Sequence, residues 1–356
     1  MGCATPQTRT RINHMNGSVV ENILLEVRNL QTHFFLQEGT VHAVAGVDFV
    51  LHRGSTLGIV GESGCGKSVT AFSILKLVTK PGRIVGGSIL FDRSNNGKPD
   101  IIDLAALADN SPQLRDIRGK DIAMIFQEPM NSLSPVHTIG DQITEGIMLH
   151  LGLSKADALK RAIALLREVG IPKPEERVHA YTFQLSGGMR QRTMIATALA
   201  CSPKLLIADE PTTALDVTMQ AQILDLLRQM RAQFGMALML ITHDLGVVAE
   251  MCDEVVVMYL GEVVEQAPVD QLFHDPKHPY TQALLKSVPR LGYGRGQRLN
   301  PIRGSIPDPF SRPTGCPFHD RCEKRIPGRC DVVHPKLTRL PDGRTVRCLL
   351  YEDEAS

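Results

Sequence analysis

One string constrains this chain more than any other: Gly61-Glu62-Ser63-Gly64-Cys65-Gly66-Lys67-Ser68 satisfies G-x-x-x-x-G-K-[ST]. The apolar run Thr56 to Val60 precedes it as a short strand, and Val69, Ala71, Phe72, Ile74, Leu75 and Leu77 follow with helical spacing. Glycines in such a loop let backbone N–H groups close around phosphate oxygens. The helix N-terminus adds its dipole, Lys67 a full charge, and Ser68 a hydroxyl for Mg²⁺. The string therefore predicts an α/β fold that binds a polyphosphate where a parallel sheet ends.

The rest of the chain is compatible with that. Its 356 residues suffice for one large or two modest domains, and Lys+Arg 39 against Asp+Glu 38 leaves no bulk charge to attract nucleic acid. The longest apolar runs, such as Val255 to Leu260, are strand-sized, so any membrane role is expected to be peripheral. No internal repeat is visible. Residues 1–22 read as a flexible start without the apolar stretch of a signal peptide. From Ile23 to Leu90 the pattern alternates as strands, with Asn95-Asn96-Gly97 as a turn beyond it. From about 130 to 200 the spacing turns helical: Ala158, Ile163, Leu165, Leu166 and Val169 form a stripe that stops at Gly170. Short buried strands alternating with helices return from about Lys204, and beyond Asp275 prolines and cysteines displace periodicity.

Three more strand ends deliver polar side chains. Leu205 to Ala208 runs into Asp209 and Glu210, Asp121 to Phe126 runs into Gln127, and Ala237 to Thr242 runs into His243. Asp209 is positioned to hold Mg²⁺, and Glu210 to polarise an attacking water. Singly, each is compatible with an ordinary solvated strand end; it is their convergence on Lys67 that argues for a site. Leu185-Ser186-Gly187-Gly188-Met189 opens another helix and provides a second anion-binding N-terminus. Two phosphate-facing helix starts imply either two sites or one site shared by two chains.

Residues 23–275 resemble the ATP-binding subunits of ABC transporters: phosphate loop Gly61 to Ser68, glutamine loop Gln127, signature Leu185 to Met189, strand Leu205 to Glu210, the Ala214-Leu215-Asp216 loop and switch His243 stand in the family's order. The resemblance implies a P-loop NTPase core with an antiparallel β-subdomain and an inserted α-helical subdomain, followed by a Cys/Pro-rich C-terminal extension over residues 276–356. It implies a head-to-tail dimer in which Ser186, Gly187 and Gly188 of one subunit close over ATP held by the other. Glu210 would be the general base, His243 would sense the γ-phosphate, Asp216 would join the site, and Ser68, Gln127 and Asp209 would hold Mg²⁺. Gln127 would also link the nucleotide to the membrane partner. The family stacks an aromatic residue on adenine; Phe34 and Phe35 precede an insertion around Gln37 to Gly39, and Phe35 is the candidate, a packed strand phenylalanine being the alternative.

Gln127 to Pro135, His278-Pro279-Tyr280-Thr281 and Cys316-Pro317 look like the oligopeptide/dipeptide and nickel importer branch, and Met189 resembles one of its two paired ATPases. That implies a peptide or nickel-chelate importer at the cytoplasmic face of the membrane. Its partners would be a paralogous ATPase (or a second copy), two permeases and a solute-binding protein, with no nucleic acid. A soluble ABC ATPase acting on DNA or ribosomes is the alternative, opposed by the compact distance from Lys67 to Ser186 and the single ATPase unit.

Cys65, beside Lys67 and a helix N-terminus, is expected to favour thiolate. Cys3, Cys201 and Cys252 look solitary. Cys316-x5-Cys322-x7-Cys330-x17-Cys348 lacks the C-x2-C pairs of common zinc sites and suits four-Cys ligation of an iron–sulfur cluster, to which the family resemblance also points as [4Fe–4S]. Zinc or unligated thiols are the other readings, and a sensor that modulates ATPase activity is a further one.

Overall fold

The computed structural model describes residues 22–94, 100–127, 132–213, 215–287 and 302–352. Outside the described residues lie the N-terminal segment through residue 21 with Cys3, the Asn95-Asn96-Gly97 turn, Glu128 to Asn131, and Ala214. In chain order the strands are β1 (Ile23–Phe35), β2 (Thr40–His52), β3 (Thr56–Val60), β4 (Gly82–Asp92), β5 (Ile101–Asp103), β6 (Ile122–Ile125), β7 (Leu205–Asp209), β8 (Ala237–Ile241), β9 (Glu254–Tyr259), β10 (Glu262–Pro268), β11 (Thr338–Arg339) and β12 (Thr345–Val346).

An antiparallel sheet in the order β2-β1-β4-β5 forms the β-subdomain, and a larger sheet runs β11-β12-β10-β9-β3-β8-β7-β6. Within the larger sheet β9, β3, β8, β7 and β6 pair in parallel. Every residue of β3, β7 and β8 is buried, as expected of strands covered on both faces. Because they are parallel, their carboxyl ends open on one edge, and that edge carries the candidate site.

Among the described residues, the stretch from 132 to 200 is largely helical. Thr138, Ser154 and Ser186 cap the helices Ile139–Leu151, Lys155–Glu168 and Gly187–Leu199 with side-chain acceptors. Ala158, Leu165, Leu166 and Val169 are fully or nearly fully buried and join the core beneath β6 and β7. Each such leucine contributes about 1.5–3 kcal/mol by leaving water.

The C-terminal residues are more closely joined to the core than a separate, loop-rich piece would be. β12 pairs with β10, Glu265 opposite Val346, and so lengthens the main sheet. Phe318 packs its ring 5.3 Å from those of both Tyr259 and Tyr280, which lie 4.8 Å from each other. Cys316, Phe318, Cys330 and Leu349 belong to the core cluster that also contains β7 and β8 residues. Aromatic burial anchors this region where hydrophobic periodicity is lacking. Among the described residues no helix is long and apolar enough to cross a membrane.

Candidate functional site

The loop after β3 is shaped by what its glycines cannot tolerate. A Cβ at Gly66, where φ is +100°, would lie 2.3 Å from the carbonyl oxygen of Ala43, and one at Gly61 would lie 2.2 Å from that of Met258. Gly66 caps the helix Lys67–Ile74. Lys67 is 6% exposed and folds back over its own loop, Nζ donating to the carbonyls of Gly61 at 2.9 Å and Glu62 at 3.1 Å. A phosphate entering the loop would offer Lys67 charged oxygens in place of these carbonyls. Ser63 and Gly64 are exposed at the loop's rim.

Cys65 departs from expectation. It is 3% exposed, and burial pushes its thiol pKa up despite the opposing pull of Lys67. The address beside a lysine and a helix start suggested thiolate, but desolvation outweighs both.

The four strand ends converge. Ser68 Oγ donates to Asp209 Oδ1 at 3.1 Å. Asp209 is 2% exposed, and burial raises its carboxyl pKa, with neighbouring Glu210 adding to the rise while Ser68 and Lys67 oppose it. A buried carboxylate beside a hydroxyl is a hard-oxygen pair suited to Mg²⁺, which satisfies the charge that burial penalises. Glu210, with φ +46°, turns away from β7 and stays part-exposed. Its Oε2 accepts from Gln127 Nε2 at 3.0 Å and Thr213 Oγ1 at 2.8 Å, and His243 Nδ1 stands 3.3 Å from Oε1. Gln127 thus bonds Glu210, while Ser68 bonds Asp209.

Other candidates stand apart. Ser186 Oγ accepts the Met189 N–H at 3.3 Å, with Gly187 and Gly188 beginning the helix; none of their hydrogen bonds among the described residues reaches the loop. Asp216 caps the helix Val217–Phe234. Phe35 is 40% exposed, its ring 4.4 Å from the guanidinium carbon of Arg83. This is the exposure a stacking residue needs, whereas Phe34 is part-buried.

The C-terminal thiols sense one another. Burial pushes Cys316 up to about 12, with Cys348, Cys330 and Cys322 adding to the rise, and pushes Cys348 up to about 11, with Cys322 and Cys330 adding. Among the described residues, however, no group of three or more His, Cys, Asp or Glu side chains is arranged to hold a metal ion. The expected [4Fe–4S] ligand set is therefore not assembled as a metal centre here; desolvation favours the protonated thiol at Cys316, Cys322 and Cys348.

Two residues at the loop escaped the sequence reading of the site. Arg321 donates to both carboxylate oxygens of Glu62, at 2.7 and 2.9 Å, and the Tyr280 hydroxyl accepts the Glu62 N–H at 2.9 Å. Both lie more than two hundred positions along the chain, and no local pattern links them to Glu62.

Comparison with known proteins accords with this geometry. The ABC transporter family profile matches residues 44–213, and the oligopeptide/dipeptide transporter C-terminal region profile matches residues 264–330. The chain is 50% identical to the oligopeptide transport ATP-binding protein AppD of Bacillus subtilis, over 94% of this chain and 98% of the relative. It is 46% identical to the dipeptide transport ATP-binding protein DppD of Escherichia coli, over 93% and 98%. Among solved structures, the dimeric ATP-binding cassette MJ0796 bound to ADP and Pi aligns with TM-score 0.60 and 26% identity, covering 69% of this chain and 99% of that one. A phosphate loop, two carboxylates and a histidine at the ends of parallel strands, on a chain so similar to these relatives, lead to one assignment: the chain belongs to the ATP-binding subunits of ABC transporters, in the oligopeptide/dipeptide branch.

Proposed function

We propose that this chain is the ATP-hydrolysing motor of a peptide importer, working at the cytoplasmic face of a membrane through permease subunits. The observation that carries the chemistry is the joining of strand ends: Glu210 receives Gln127 and faces His243, one residue from the Asp209–Ser68 pair. In this reading the loop residues Gly61 to Ser68 bind the phosphates through backbone N–H groups and Lys67. Ser68, Asp209 and Gln127 provide oxygens for Mg²⁺. The ion would neutralise charge on the β- and γ-phosphate oxygens. Glu210 takes the proton of the water that attacks the γ-phosphorus, and His243 and Gln127 hold Glu210 in position until the γ-phosphate is present. Phe35 stacks on the base.

Ser186, Gly187 and Gly188 then serve a neighbouring ATPase subunit, with Asp216 at the same junction, which accounts for a capped helix start without a partner in its own loop. We take that neighbour to be a paralogue, with a homodimer as the alternative, and residues 23–275 to be the ATPase unit followed by the 276–356 extension. A groove of about 300 Å³, lined by Leu75, Leu77, Met124, Leu133, Met194 and Phe126, the residue before Gln127, suits a permease helix. A peptide is favoured over a nickel chelate because the similar relatives are named for oligopeptide and dipeptide transport. The experiment is reconstitution with two permeases, the companion ATPase and a solute-binding protein in vesicles. Peptide uptake that needs ATP on the motor side supports the reading; ATP hydrolysis indifferent to peptide-loaded binding protein contradicts it.

The extension carries a second reading. The four cysteines of Cys316-x5-Cys322-x7-Cys330-x17-Cys348 are an all-sulfur donor set, and we infer that they draw together to take a [4Fe–4S] cluster when iron and sulfide are supplied. Iron and sulfide analysis of anaerobically purified protein tests it; absence of both leaves four free thiols.

A further inference from the structure

A loop that must attract a polyanion contains a carboxylate. Glu62 is the one acidic residue among the four variable positions of G-x-x-x-x-G-K-[ST], and left free it would repel the phosphates that Lys67 attracts. All three of its polar groups are held. Its carbonyl accepts from Lys67 Nζ at 3.1 Å, its N–H donates to the Tyr280 hydroxyl at 2.9 Å, and its carboxylate takes both ends of the Arg321 fork.

Arg321 is built in rather than draped over the surface. Its side chain is 4% exposed, Nε donates to the carbonyl of Arg303 at 2.9 Å, and Nη1 lies 3.4 Å from the Tyr259 hydroxyl. The guanidinium carbon sits 5.8 and 5.9 Å from the ring centroids of Tyr259 and Phe318, the aromatic cluster that anchors the C-terminal region. It ends the short turn His319–Arg321 that runs into Cys322. A bidentate pair in this setting fixes orientation as well as charge.

We propose that Arg321 is a positioning residue of the ATP site: it locks the Glu62 carboxylate in a bidentate pair and cancels its charge, so that the phosphate loop meets ATP as a net cation. This rests on the reading of the loop as an ATP site. Arg321 touches Glu62 and acts on the nucleotide only through it.

The test measures Mg-ATP affinity of the full chain, with KM and kcat in the reconstituted complex, for R321M, R321K, E62Q and the pair E62Q/R321M. Removing the cation while keeping Glu62 is expected to raise Kd and KM about tenfold with kcat within about twofold, a loss of charge complementarity and not of chemistry. The double variant is expected to return to within about twofold of wild type, and R321K, which keeps the charge and loses the fork, to fall between. E62Q alone decides between charge and scaffolding. It leaves a cation beside the phosphates and is expected to bind ATP at least as tightly as wild type; weakening equal to that of R321M overturns the proposal. If R321M fails to fold, E62Q and R321K carry the test unaided. Wild-type protein that binds ATP tightly with R321M unchanged overturns this proposal alone, whereas wild-type protein that ignores ATP overturns the ATP reading and this proposal with it.

Discussion

Replacing Glu210 by glutamine removes a proton acceptor and almost nothing else. Both donors to Oε2, Gln127 at 3.0 Å and Thr213 at 2.8 Å, are equally served by an amide oxygen, and the amide nitrogen can face His243 Nδ1, which stands 3.3 Å from the other oxygen. The backbone N–H stays bonded to the carbonyl of Ile241 at 2.9 Å. Folding stability is therefore expected to change by less than about 1 kcal/mol. A positioned general base is worth about 10²–10⁴ in rate, about 3–5 kcal/mol of barrier. Steady-state phosphate release by the reconstituted complex is expected to fall about 10³-fold with KM for ATP within about twofold. Thermal melting and ATP binding are measured on the same preparations. A kcat within about tenfold of wild type, or an activity loss that tracks lost ATP binding, refutes Glu210 as the base.

Asp209 gives a pH signature. Its carboxyl pKa is raised by burial first, so the folded chain holds that proton more tightly than the unfolded chain does. The ionised form costs stability: the cost is absent below the unfolded value near about 4 and complete above the raised folded value. A cation at Ser68 and Asp209 favours ionisation, so the rise in melting temperature from Mg²⁺ with nucleotide should grow with pH through the raised pKa; D209N should flatten the dependence, and an unflattened one refutes it. Cys65, buried and raised, should react with a maleimide far more slowly in the folded chain than in the denaturant-unfolded chain, as read by peptide mapping; equal labelling in the two states contradicts the geometry. Gly66→Ala drives a Cβ to 2.3 Å from a backbone oxygen at φ +100°, and is expected to cost about 2–4 kcal/mol in melting experiments. An undisturbed melt refutes it.

Local pattern marks the candidate site where its parts follow directly from strand ends. The loop glycines, the β7 run into Asp209 and Glu210, and Gln127 and His243 two residues beyond β6 and β8 are each legible within a few residues, and parallel pairing brings them to one edge. What escaped depends on burial and long-range contact. The position of Cys65 near Lys67 was visible, but not that desolvation outweighs the lysine. Arg321 has no periodicity or spacing to mark it, and meets Glu62 in a region held to the core by Phe318, which packs against both Tyr259 and Tyr280. The same burial ties the Cys/Pro-rich extension to the core, a contact that composition does not show.

The central claim, that a triphosphate is held at the loop after β3, is tested most directly by calorimetric titration of Mg-ATP into the chain together with its companion subunits, for wild type and Lys67→Ala. Lys67 is the buried cation whose Nζ rests on the loop carbonyls. The expected result is saturable binding by wild type, weakened about 100-fold or more by K67A, as befits a lost charge-assisted contact to phosphate. Equal affinity in the two proteins, or no binding by either, would contradict the account.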